Sequence, residues 1–127
     1  MMRKVLIIDD DLYFLRFLRD YVEQRCPDLV VDTCPDPVRA LAAITPDLDL
    51  LLVDLEMPGI DGSKVLAYAT SRGLDKRRII ILSSRDADYL HQRFPMGCCL
   101  AVLNKNEARQ KAVLDMIFNS LQQKCRA

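Results

Sequence analysis

Residues 5–11 read Val5-Leu6-Ile7-Ile8-Asp9-Asp10-Asp11, four apolar residues met at once by three carboxylates. The apolar part does not alternate with polar residues. A strand with one face in water alternates, whereas a strand in a parallel sheet covered by helices on both faces is apolar throughout. Further along the chain the same kind of run returns at Leu29-Val30-Val31, at Leu50-Leu51-Leu52-Val53, at Ile79-Ile80-Ile81-Leu82 and from Cys98 to Leu103. None alternates, so all five are read as parallel strands.

The segments between them carry helical spacing. Phe14, Leu15, Leu18, Tyr21 and Val22 form a stripe at i, i+1, i+4, i+7 and i+8 that ends before Pro27. Asp36-Pro37 offers an N-cap acid and a proline at the first helical position, for a second helix through Val38, Leu41 and Ala42 toward Ile44. A third helix is expected from Ser63 to Arg72, stopped by Gly73, and a fourth from Asp86 to Arg93, closed by Pro95. The fifth runs from about Glu107 to Gln123 on the stripe Val113, Leu114, Ile117, Phe118 and Leu121. Five alternations of strand and helix, with no repeat or linker, give a doubly wound α/β sandwich in one domain over residues 1–127.

The 127 residues carry 18 Lys+Arg against 18 Asp+Glu and are 50% apolar. A chain of this length buries about two-thirds of its unfolded surface, enough for a core without staples. Zero net charge excludes a general attraction to nucleic acid or an anionic membrane. Lys76-Arg77-Arg78, the densest basic run, reads as a solvated loop. Cys26, Cys34, Cys98, Cys99 and Cys125 have no C-x-x-C spacing and only His91 beside them, which argues against a zinc site and for reduced, mostly buried thiols. His91 itself is expected on an exposed helix face. The start is too short and too acidic for a signal peptide, and no run nears the roughly 18 apolar residues of a membrane span. A cytoplasmic chain without membrane or direct nucleic-acid contact is the expectation.

Ligands of an open parallel sheet bind outside the carboxyl ends of its strands. The residues that follow the apolar runs are Asp9, Asp10 and Asp11, then Asp54, then Ser83 and Ser84, then Asn104 and Lys105. An aspartate after a strand is commonly the cap of the next helix, and Asp11 before Leu12 is read as one. Asp54 precedes the loop Leu55-Glu56-Met57-Pro58-Gly59 and caps nothing nearby. If the first and third strands are neighbours, their carboxylates converge. Two such groups at 4 to 5 Å repel by roughly 4 kcal/mol at an effective dielectric of 20, so a proton or a cation belongs among them. An all-oxygen, carboxylate-rich set suits Mg²⁺ or Mn²⁺. A lysine and a serine hydroxyl facing the same place add what a phosphoryl group needs, charge neutralisation from several sides.

The first run with its acids, the stretch Leu52-Val53-Asp54-Leu55-Glu56-Met57-Pro58-Gly59-Ile60-Asp61-Gly62, the run Ile80-Ile81-Leu82-Ser83-Ser84 and then Lys105 closely resemble the receiver domain of bacterial two-component response regulators. The resemblance covers essentially the whole chain. It implies a CheY-like, flavodoxin-type three-layer sandwich with strand order 2-1-3-4-5 and five helices. It implies that Asp54 accepts a phosphoryl group from the phosphohistidine of a sensor histidine kinase or phosphotransfer protein. Asp10 would ligate Mg²⁺ directly and Asp9 mainly through water, with Asp54 and the backbone carbonyl of Glu56 completing the protein ligands. Ser83 would bond a phosphoryl oxygen, Lys105 would pair with the phosphate, and small Ser84 would leave room for the donor. The Pro58-Gly59 and Asp61-Gly62 pairs read as a turn toward the third helix. The output would be a partner-binding face made of the fourth helix, fifth strand and fifth helix. Such a chain is no enzyme beyond assisting its own phosphorylation and dephosphorylation, and 127 residues hold no DNA-binding effector.

The sequence departs from this family where the output mechanism lies. The family's aromatic residue three before the lysine is Val102, and its cis-proline after the lysine is Asn106, where a trans bond is expected because a non-proline cis bond costs about 3 to 4 kcal/mol. The interval from Gly97 to Lys105 is one residue longer than usual. Glu56 and Arg85 are expected to pair across the site and shield it from water. A pseudo-receiver that binds without switching is the alternative, supported by Val102 and Asn106 and opposed by the intact Asp9, Asp10, Asp54 and Lys105. A haloacid-dehalogenase-like phosphatase fits Asp9-x-Asp11 but not Tyr13, which stands where that chemistry needs a threonine.

Overall fold

The opening apolar run becomes β1 (Arg3–Ile8) in the computed structural model, which describes residues 3–106 and 109–126. Asp11 caps α1 (Leu12–Arg25), its carboxylate accepting the Tyr13 and Phe14 N–H groups at 3.0 and 3.2 Å. Next come β2 (Leu29–Cys34) and α2 (Pro37–Ala40), capped by Asp36 and tightening at once into a one-turn 3-10 helix at Leu41–Ala43. The second helix is thus a single α turn, and Val38, read as part of its apolar stripe, is exposed. β3 (Leu50–Asp54) leads through a loop to α3 (Gly62–Ser71), capped by Asp61 and ended by Gly73 at φ +96°. Lys76–Arg78 makes a 3-10 turn capped by Asp75. β4 (Ile79–Ser83), α4 (Ala87–Arg93) with its Asp86 cap, β5 (Ala101–Asn104) and α5 (Arg109–Arg126) complete the chain. Glu107, expected at the start of the last helix, lies outside the described residues.

The five strands form one parallel sheet in the order β2-β1-β3-β4-β5. Side chains alternate between two core layers along each strand. One layer joins Val5, Ile7, Leu50, Leu52, Ile80 and Leu82 to Leu15, Leu18, Leu114 and Phe118 of α1 and α5. The other joins Leu6, Ile8, Leu51, Val53, Ile79 and Ile81 to Ala40, Val65, Ala69 and Leu90 of α2, α3 and α4. Burial on both faces makes β3 and β4 apolar up to their last residues, Asp54 and Ser83.

Two strands differ from that expectation. β2 does alternate, with Leu29 and Val31 buried and Val30 and Asp32 exposed. Val30 and Asp32 register with Lys4 and Leu6, on the face where α2 is too short to exclude water from this edge strand. β5 begins at Ala101 and not at Cys98: the Leu100 N–H reaches the Ile79 carbonyl at 2.8 Å, and residues 98–100 form the turn that leads in. Of the cysteines only Cys26 is buried among the described side chains, while Cys34, Cys98 and Cys99 are half-buried and all four are free thiols. The Cys125 side chain lies outside the described set. His91 is exposed on α4. Among the described residues no helix is long and apolar enough to cross a membrane.

Candidate functional site

β1 and β3 are neighbours, with Ile8 opposite Val53, so Asp9 and Asp54 emerge side by side at the carboxyl edge of the sheet. Both are buried, at 0% and 4% exposure, and Asp10 beside them is exposed. Carboxylate oxygens of Asp9, Asp10 and Asp54 lie within 4.8 Å of one another. Asp9 is fixed by the Asp11 N–H, which donates to its Oδ1 at 2.9 Å, so the residue that caps α1 also orients a site carboxylate.

Lys105 reaches this cluster from the end of β5. Its Nζ is 2.5 Å from Asp9 Oδ2 and 3.5 Å from Asp54 Oδ1, and it rests 4.6 Å above the ring of Phe14. Its backbone is set by the adjoining strand, the Lys105 N–H donating to the Ser83 carbonyl at 2.7 Å. Asn104 ties the two flanking loops together, donating to the Arg85 carbonyl at 2.5 Å and accepting the Asn106 N–H at 2.7 Å. Burial and the Asp9 carboxylate, with a smaller contribution from Glu56, push Asp54 up to about 7 against the pull of Lys105. Burial, the largest single influence, would lower the Lys105 ammonium, but the bonds and charges of Asp9 and Asp54 together outweigh it and the pKa is raised.

Ser83 is fully buried at the end of β4. Its hydroxyl donates to the Glu56 carboxylate, 2.7 Å from Oε1 and 2.9 Å from Oε2, and accepts the Arg85 N–H at 3.0 Å. Glu56 therefore does not pair with Arg85. The Arg85 guanidinium lies 4.0 Å above the Tyr89 ring, where a planar cation finds a π face, and the two serines claim the glutamate. A shielding pair across the site is absent among the described residues.

A family model described as the response regulator receiver domain matches residues 5–116. The chain belongs to this family. It is 32% identical over 104 residues to the transcriptional regulatory protein CpxR of Escherichia coli (strain K12), which covers 73% of this chain and 44% of that protein. The chain spans about a third to under a half of the length of the curated relatives it matches. The Francisella response regulator 1452 receiver domain superposes with a TM-score of 0.77 at 24% identity, over 96% of this chain and 98% of that one. TrrA of Thermotoga maritima, solved in complex with Mg²⁺-BeF, gives 0.72 at 22%, over 91% and 99%. These two likenesses establish the fold, with the expected strand order.

The receiver's edge fits a hard divalent cation. Its donors are all oxygen, two of its three carboxylates are withdrawn from water, and one ammonium stands against three carboxylates. Asp9, Asp10 and Asp54 are brought together as expected, with Lys105 among them. Ser83 arrives at the same edge, but its hydroxyl proton goes to Glu56.

Three contributors to the receiver's site take roles that the sequence reading did not assign. Phe14, read as a core position, forms the floor under Lys105. Asn104 bridges two loops. Gly62 has no room for a side chain, since a Cβ there would lie 2.5 Å from the Asp54 carbonyl oxygen and 2.8 Å from Leu55 Cα. That approach lets the Gly62 N–H donate to the Leu55 carbonyl at 2.9 Å, holding the start of α3 against the strand that carries Asp54. The Gly62 signal was in the sequence, as a glycine directly after the Asp61 cap. The other two depend on contacts that no local pattern carries. Of the departures, the Lys105–Asn106 bond is trans, and Val102 is a half-buried side chain packed against the layer of α2, α3 and α4. Tyr13, at the position where a phosphatase of that kind would need a threonine, is 88% exposed.

Proposed function

We propose that this receiver accepts a phosphoryl group on the Asp54 carboxylate from the phosphohistidine of a sensor histidine kinase or a phosphotransfer protein, on the cytoplasmic side of the membrane. The observation that carries the reading is the Asp54 carboxylate withdrawn from water between Asp9 and the Lys105 ammonium. In the transfer a P–N bond of the donor breaks, a P–O bond to an Asp54 oxygen forms, and the imidazole leaves with a proton from solvent. Asp9, Asp10, Asp54 and the Glu56 backbone carbonyl would hold Mg²⁺ or Mn²⁺, which when bound neutralises charge on the phosphoryl oxygens and the nucleophile. The Lys105 ammonium adds a further positive charge beside Asp54. Ser83 supplies a hydroxyl donor once it is free of Glu56.

In this reading the phosphoryl group passes to Asp54 and is later lost by hydrolysis, without turnover of a separate external substrate. The output face is the surface of α4, β5 and α5. Its groove of about 380 Å³ between α4 and β5 is lined by Phe94, Met96, Cys98, Leu100 and Val102, with Met96 and Leu100 exposed. Intact mass after incubation with acetyl phosphate and Mg²⁺ tests the proposal. The expected result is one phosphate adduct on the wild type, absent in Asp54→Asn and absent when the metal is chelated. An unmodified wild type would favour the pseudo-receiver, for which Val102 and Asn106 speak.

A further inference from the structure

Glu56 follows Asp54 by two residues, and although the residue as a whole is exposed its carboxylate is bound to the end of β4. Ser83 Oγ stands within hydrogen-bond reach of both carboxylate oxygens, and Ser84 gives Oε1 its N–H at 3.2 Å and its hydroxyl at 3.3 Å. Two hydroxyls and a backbone N–H converging on one anion form an oxyanion cradle. Its occupant is the protein's own carboxylate. A phosphoryl group on Asp54 carries about two negative charges and three acceptor oxygens, and it would claim the same donors. Ser83 has a single hydroxyl proton and cannot give it to both. The like charges also prevent the carboxylate and the phosphoryl group from sharing the cradle.

We propose that Glu56 is an internal competitor for the phosphoryl group: its carboxylate occupies the Ser83–Ser84 cradle in the unphosphorylated protein, and phosphorylation of Asp54 expels it. The inference rests on the phosphoacceptor reading and adds the event by which the site responds. Expulsion frees the β3–α3 loop from the end of β4. It delivers the Ser83 hydroxyl and Ser84 N–H to the phosphoryl oxygens without any movement of Val102.

Beryllofluoride, a tetrahedral stand-in for a phosphoryl group, tests this when titrated with Mg²⁺ and followed by ¹⁹F NMR. Glu56→Ala is expected to bind about tenfold more tightly than the wild type, because the donors no longer have to be taken from a charged acceptor. Glu56→Gln, whose amide oxygen still accepts, should fall between the two. In a Ser83→Ala background the gain from Glu56→Ala should shrink below about twofold, since partners in one network are not additive. A second reading needs no ligand: amide exchange at Ser84 should quicken in Glu56→Ala. Equal affinity of wild type and Glu56→Ala, both binding well, would overturn the competitor alone. Gains that are equal for Ala and Gln and persist without the Ser83 hydroxyl would overturn it in favour of plain charge repulsion. Absence of beryllofluoride binding in every variant would overturn the phosphoacceptor reading and the competitor with it.

Discussion

The Asp54 carboxyl is held well above the ordinary carboxylate range by its surroundings: burial and Asp9 raise it to about 7 and Lys105 only partly offsets them. A carboxyl whose folded pKa lies above its unfolded value of 3.8 binds more protons folded than unfolded. Its contribution to stability is full below about pH 4 and is lost as pH rises through 7. The span corresponds to at most about 4 kcal/mol. Urea denaturation of the metal-free protein should therefore give a wild type that loses stability relative to Asp54→Asn between pH 4 and 8; a pH-independent difference would mean that Asp54 is not destabilised in its ionised form. Lys105 supports a second expectation. Removing its ammonium in Lys105→Ala takes away the positive charge nearest Asp9 and Asp54, so Mg²⁺ should bind several-fold more tightly by calorimetry, while phosphorylation at Asp54 is retained and switching weakens. Asp9, Asp10, Asp54 and Lys105 were legible in the sequence because strand ends of a parallel sheet must meet, whatever the side-chain details. The Ser83–Glu56 bond was not, because a flexible glutamate with several donors in reach selects its partner only once the loops are in place.

At the scale of elements, the loop after β3 is held by the meeting of α3 with β3 at Gly62. An alanine there must displace backbone, since the clash is with the Asp54 carbonyl and Leu55 Cα and not with a movable side-chain tip. Gly62→Ala should cost about 1 to 3 kcal/mol by chemical denaturation. It should also slow acetyl phosphate uptake at Asp54, whose own strand end is the atom displaced; normal stability with normal uptake would show that the loop yields freely. The same loop is tied to α4, Asp61 pairing with Arg93 at 2.6 Å and Arg93 reaching Tyr89 Oη at 2.9 Å. Arg93 thus links the β3–α3 loop, which also carries Glu56, to α4. β1, β3 and β4 were unmistakable as sequence because every side chain in the last two is buried. β2 was recognised for its position but not for its alternation, which follows from the single-turn α2 beside it, a tertiary fact. The late start of β5 reflects the turn at Gly97–Leu100, where φ +91° at Gly97 and the Cys98 N–H to Pro95 carbonyl bond of 3.2 Å fix the chain before pairing begins.

Over the whole molecule the 18 acidic and 18 basic residues cancel, yet the cancellation is not local. Asp9, Asp10 and Asp54 crowd one edge of the sheet with Lys105 as the ammonium set among them, and folding alone must bear that repulsion. A divalent cation that binds only the folded site stabilises the protein by RT ln(1 + [M]/Kd), and it competes with the proton on Asp54. With a folded pKa of about 7, apparent affinity at pH 6 should be about tenfold weaker than at pH 8. At an Mg²⁺ concentration ten times the pH 8 Kd, the gain is about 1.4 kcal/mol at pH 8 and about 0.4 kcal/mol at pH 6. For a domain of this size those gains raise Tm by roughly 5 °C and under about 2 °C. Thermal melts with and without Mg²⁺ at the two pH values measure the difference directly, and Asp10→Asn or Asp54→Asn should remove most of the shift. An equal shift at pH 6 and pH 8 in the wild type would mean that the cation binds without displacing the Asp54 proton, and no shift at either pH would make the acidic edge a structural feature independent of metal.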